Sequence, residues 1–126
     1  MPRVSKESAA QVDDMGPVGE DRHEDLDGYT VNFVSLLQES DLTPLLKGLP
    51  DDRCQCPHWG FVFKGKLTWR FADHEEVVEA GDAYYAPPGH IPVAAAGSEF
   101  VSFSPTEELQ VVEAAMMKNM QAMPDS

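Results

Sequence analysis

The chain has 126 residues, a length that suits one domain with a substantial core. Its 9 Lys and Arg against 22 Asp and Glu give a net charge of −13, which disfavours nucleic-acid phosphates and anionic lipid as partners. No run approaches the roughly 20 apolar residues that a membrane span needs, and no apolar segment follows Arg3, Lys6 and Glu7, so neither a membrane segment nor a secretory leader is expected and the location is read as cytoplasmic.

Residues 1–28 are polar and acidic, with little periodicity. They predict an N-terminal arm, partly flexible or laid over the body, with His23 as a surface residue. Tyr29 to Leu37 is rich in β-branched and aromatic residues and alternates, so it predicts a strand. Thr43-Pro44-Leu45-Leu46-Lys47-Gly48 predicts one helical turn, with Thr43 as its cap and Gly48 as its stop. Cys54-Gln55-Cys56-Pro57-His58 then stands directly ahead of a second strand, Trp59 to Phe63. Regular punctuation follows, with strands at Leu67–Phe71, Glu75–Glu79, Ala83–Ala86, Ile91–Ala95 and Glu99–Phe103. Short strands divided by frequent turn signals indicate an all-β sandwich or barrel. His74 falls at a turn tip, and Pro87-Pro88-Gly89 forms a rigid corner ahead of His90. Beyond it, Ser104 suits a helix cap, Pro105 the first helical position, and Glu107 and Glu108 the first turn. Leu109, Val112, Met116 and Met120 make an apolar stripe on that helix. The organisation is therefore an arm at 1–28, a β-barrel at 29–104 and a C-terminal helix at 105–123. The methionines Met116, Met117, Met120 and Met123 crowd the end of the helix and either pack on the barrel or meet a partner subunit.

Cys54 and Cys56 share a face in an extended chain, but a bridge between such close neighbours is strained. They read as free thiols or as metal ligands. Cys54, Cys56, His58 and His90 form a candidate Cys2His2 set, and thiolate with neutral imidazole suits zinc first, with iron, nickel or copper as alternatives. The same cysteines also serve as small apolar core residues. Tyr84, Tyr85, Trp69, Phe61 and Phe63 lie on adjacent short strands and are expected as the wall of a pocket for a small organic ligand, or as barrel core.

The run Gly81, five residues, Pro87, Pro88, Gly89 resembles the second motif of the cupin family. The family's histidine slot is Pro92 here, and His90 stands two residues earlier, on the same face of an extended strand. In the first motif, counted back from Gly65, His58 takes the glutamate slot, Cys54 the second histidine slot and Asp52 the first. The 15 residues between Gly65 and Gly81 match the spacing of small bacterial cupins. The resemblance spans residues 29–103 and implies a double-stranded β-helix, a jelly-roll-like barrel, with a tendency to homodimerise by pairing sheets or exchanging an arm. It also implies a divalent metal and a small organic ligand, in a metal-dependent lyase, isomerase or dioxygenase, with Tyr84 or Tyr85 as acid or orienting group. The departures at the ligand slots favour the alternative, a non-catalytic small-molecule sensor without metal. No nucleophile elbow and no phosphate-binding glycine loop is present.

Overall fold

The computed structural model describes residues 2–123. Among the described residues, ten strands, with three short 3-10 turns between them, are followed by one α-helix. The strands are β1 (Gln11–Asp14), β2 (Gly19–Leu26), β3 (Tyr29–Leu36), β4 (Ser40–Asp41), β5 (His58–Lys64), β6 (Lys66–Arg70), β7 (Glu75–Glu79), β8 (Ala83–Ala86), β9 (Ile91–Ala94) and β10 (Glu99–Pro105), and the helix is α1 (Thr106–Ala122). They build a six-stranded sheet of order β1-β2-β3-β10-β5-β8 and a four-stranded sheet of order β4-β9-β6-β7, with antiparallel pairing throughout. From β5 onward the chain passes repeatedly between the sheets. The first crossing is at Gly65, whose φ of +77° favours glycine. Ser98 packs against it, accepting from the Lys66 N–H at 3.2 Å and donating to the Lys66 carbonyl at 3.1 Å. This repeated crossing produces the expected double-stranded β-helix, in which two facing sheets enclose one interior.

Strand alternation sorts the residues. Val62, Leu67, Trp69, Tyr84, Ala86 and Ala94 fill the space between the sheets with Leu36. A second apolar cluster, Leu46, Leu49, Cys54, Cys56 and Val112, lies under α1. Asn119 ties the helix down, donating from Nδ2 to the Leu45 carbonyl at 2.7 Å and the Lys47 carbonyl at 2.9 Å. Leu109, Ala115 and Met116 pack inward beside Val112, whereas Met120, Met117 and Met123 are exposed.

Three local expectations are corrected by this arrangement. The N-terminal segment expected as an arm contributes β1 and β2, and β2 pairs with β3 along its whole length, Gly19 opposite Leu36 and Leu26 opposite Tyr29. Ser104 does not cap α1. It remains in β10 opposite Thr30, and Pro105 stands at the cap position without a side-chain cap. Thr43 does not cap its turn either. Its N–H and Oγ1 both donate to Asp41 Oδ1, at 2.9 and 2.6 Å. No described helix is long and apolar enough to cross a membrane.

Candidate metal centre and its cavity

Two connections carry the candidate ligands, and backbone hydrogen bonds join them. Cys54 and His90 form an isolated antiparallel bridge. The Cys54 N–H donates to the His90 carbonyl at 2.9 Å, and the Cys54 carbonyl accepts from the Gly89 N–H at 2.8 Å and the His90 N–H at 3.3 Å. The Pro-Pro-Gly corner is thus fastened to the segment entering β5. His58 opens β5 opposite Ala86, so its ring enters the same space. The Cys54 sulfur and one ring nitrogen each from His58 and His90 lie within 4.8 Å of one another.

Each histidine is oriented by its other nitrogen. His90 Nδ1–H donates to the Pro87 carbonyl at 2.6 Å, which fixes the tautomer and leaves Nε2 with a free lone pair. That Nε2 is buried and has no partner, in a residue with 0% exposure. Such an orphaned acceptor is costly unless something occupies it. His58 Nδ1 is 2.7 Å from Ser104 Oγ, and His58 Nε2 is 3.6 Å from Cys54 Sγ. Imidazoles held at Nδ1, with Nε2 turned toward the other candidate ligands, are the usual arrangement of metal-ligating histidines. Two ligands on one tetrahedral zinc lie about 3.5 Å apart. The Cys54–His58 pair already has that spacing, and the full set must close by about 1 Å.

The electrostatics keep the site neutral. Burial lowers the pKa of His58 to about 3, with the nearby His90 adding to the effect, and burial also lowers that of His90. Burial pushes the Cys54 thiol up to about 11, partly offset by backbone hydrogen bonding from Cys56. Near neutral pH both rings are therefore unprotonated donors, while the thiol keeps its proton until a cation displaces it.

Cys56 stands apart from the other three. The chain bends at Cys56, and although both cysteines are buried, only Cys54 joins His58 and His90 in the cluster of candidate ligand atoms. Cys56 is turned into the apolar cluster with Leu46 and Val112, and its thiol donates to the Pro57 carbonyl at 3.5 Å. Burial first, and then the neighbouring Cys54, push its pKa up to about 12. Both cysteines are free.

The aromatic residues divide by strand parity. Trp69 is buried with its ring centroid 4.9 Å from His90 and 5.9 Å from His58. Tyr84 is buried beside Trp69 as core, its hydroxyl donating to the Val101 carbonyl at 3.2 Å and bonding Ser102 Oγ. Tyr85, Phe61 and Phe63, expected as pocket wall, lie on the outer face, with 50%, 36% and 51% exposure. The inward positions of β5 are His58, Gly60 and Val62, which sends its phenylalanines outward.

The true wall of the interior cavity is different. Cys54, His58 and Trp69 border a space of about 240 Å³ with Leu46, Val112 and Met116. Its polar side is built by Asp21, Asn32, Ser102 and Ser104 from β2, β3 and β10, joined by Glu113 from α1. None of these was singled out from the sequence as a site residue. The available signal was polar residues at the inward parity of β3 and β10, where Asn32, Ser102 and Ser104 alternate with apolar neighbours.

No family model matches the chain, and no curated protein matches it. Solved structures do. An RmlC-like cupin from Shewanella frigidimarina is 16% identical with a TM-score of 0.55, over 81% of this chain and 88% of that one. A protein of unknown function from Rhizobium leguminosarum is 13% identical with a TM-score of 0.58, over 82% of this chain and 94% of that one. An oxalate decarboxylase from B. subtilis is 14% identical with a TM-score of 0.54, over 81% of this chain and 28% of that one. Topology, crossings and these likenesses agree: this chain has the cupin fold.

Proposed function

We propose that this protein is a metal-holding cupin that binds a small organic ligand in the cavity beside the metal. The observation that carries the reading is the buried, unpartnered Nε2 of His90, whose lone pair converges with His58 and Cys54. Cys54, His58 and His90 would hold a divalent cation, zinc being best suited to one thiolate and two imidazoles. Three protein ligands leave a coordination position open, which is the pattern of reactive rather than purely structural zinc sites. When bound, the metal supplies a Lewis acid. The chain's own part is to strip water from the ligand, to orient it with Ser102, Ser104 and Trp69, and to keep both imidazoles unprotonated. The likeness to an oxalate decarboxylase supports an enzymatic role in the lyase class. Two free, buried thiols support a reducing, cytoplasmic location.

The partner assigned here is a second copy of the chain. Trp59, Phe61, Phe63, Tyr85 and Phe103 are exposed on the outer face of the larger sheet, with Trp59 stacked on Tyr85 at 4.9 Å. The outward positions of β5 and β8 carry no charge. In a chain of net charge −13, this face lets two copies meet without opposing like charges.

Zinc titration of chelator-treated protein tests the reading. One zinc per chain is expected, abolished by Cys54→Ser and by His90→Gln and kept by Cys56→Ser. Absence of uptake by the folded wild type, or equal loss in Cys54→Ser and Cys56→Ser, would remove it.

A further inference from the structure

We propose that the cavity selects a compact, mainly apolar molecule that carries a protonated amine at one end and a hydrogen-bond acceptor at the other. The inference deepens the reading above, because that molecule is the one presented to the Cys54–His58–His90 cluster. Of the charged residues lining the cavity, Asp21 and Glu113 are both acidic, and no Lys or Arg joins them. Asp21 is held by one amide, Asn32 Nδ2 donating to its two oxygens at 3.1 and 3.2 Å. Burial disfavours the charged form of both carboxyls, and the charge of Asp21 adds to the cost of ionising Glu113. The nearby His23 acts against this on both carboxyls, but its Nε2 is 3.1 Å from Asp13 Oδ2 and so is shared with a third acid. An ammonium group placed between Asp21 and Glu113 cancels their charge, whereas a carboxylate is repelled.

The acceptor end follows from a second observation. The Trp69 indole N–H is buried and has no acceptor, in a residue of 5% exposure that borders the same cavity. A ligand oxygen there satisfies it. Between the two ends the wall is Leu46, Leu67, Val112 and Met116, which suits a hydrocarbon or aromatic body. A volume of about 240 Å³ restricts that body to a small molecule.

Tyramine and 4-hydroxyphenylacetate share one body and differ in the charge of the tail. Isothermal titration of the full chain, with zinc and after chelation, compares them. Tyramine is expected to bind about tenfold or more tightly than the acid. Asp21→Asn, which keeps an oxygen for Asn32, is expected to erase that preference while the near-ultraviolet circular dichroism stays native. Should that variant misfold, Glu113→Gln on the helix surface is expected to lower the preference. Equal or tighter binding of the acid, no binding of either probe up to about 10 mM, or an undiminished preference in a folded Asp21→Asn variant overturns the proposal. A chain that takes up no zinc yet prefers tyramine retires the metal reading alone. One that takes up zinc without an amine preference retires this one alone.

Discussion

Acidifying the metal-free protein tests the burial of His58 directly. In the native chain its pKa is lowered from the ordinary 6.5 to about 3, first by burial and then by the neighbouring His90. A depressed native value means that the unfolded chain binds the proton first. Stability contributed by the neutral ring is therefore complete above pH 6.5 and is lost as the pH falls toward about 3. One proton taken up on unfolding removes about 2 kcal/mol between pH ~7 and pH ~5, and at most about 5 kcal/mol over the whole window. A domain of this size has a total stability of only about 5–15 kcal/mol, so the loss is measurable. Burial lowers His90 as well, which acts in the same direction, whereas the raised carboxyls of Asp21 and Glu113 act in the opposite one. The assay must isolate His58. Urea unfolding of wild type and His58→Gln, both with chelator present, does so. The stability advantage of the wild type is expected to shrink by about 2 kcal/mol from pH ~7 to pH ~5. An advantage that stays constant across that range would show that the ring titrates as it does in water, and the buried neutral pair would be refuted.

Ser104→Ala removes the oxygen that orients His58 and is expected to weaken zinc binding about tenfold to a hundredfold with the fold retained, as read by competition with a chromogenic chelator. Gly60→Ala drives a methyl group into the Val101 carbonyl and the Tyr84 ring, so a loss of about 1–3 kcal/mol is expected in urea unfolding, and a neutral result would mean that β5 and β8 sit differently. Trp59→Ser combined with Tyr85→Ser is expected to turn a dimer into a monomer in sedimentation equilibrium without lowering zinc uptake, and a dimer unchanged by the pair would rule out the outer sheet face.

The sequence made the central part of the fold legible because its punctuation is local. Gly65, Gly81 and the Pro87-Pro88-Gly89 corner each mark a passage between sheets, and β7 and β8 were predicted with their observed bounds. The first two strands were not legible, since Gly19 to Leu26 has no apolar alternation. Its inward residue Asp21 faces a cavity and is satisfied by Asn32, so hydrophobic pattern carries no signal there. At the site, Cys54, His58 and His90 were legible from residue type, and the backbone bridge that unites them was not, because it joins residues 36 apart in the chain. Pocket parity was misread for a related reason. In β5 the aromatic residues mark the outer face and glycine the inner one, where Tyr84 needs the room.

That bridge also bears on how the metal centre would be held. A donor carried on a free loop must be ordered by the metal, and the cost of ordering reduces the affinity. Here the Cys54 and His90 backbones are already paired, His90 Nδ1 is fixed to Pro87, and His58 is fixed both by the β5–β8 ladder and by Ser104. What remains is a shift of about 1 Å, within the reach of side-chain torsions and small loop motions. The metal-free protein should therefore keep its fold, with the cost of waiting concentrated in one unsatisfied nitrogen, His90 Nε2, and in the desolvated thiol of Cys54. Metal binding would relieve both at once, releasing the thiol proton, so an affinity for zinc that rises with pH until that proton is already gone is expected, as read by zinc titration at several pH values.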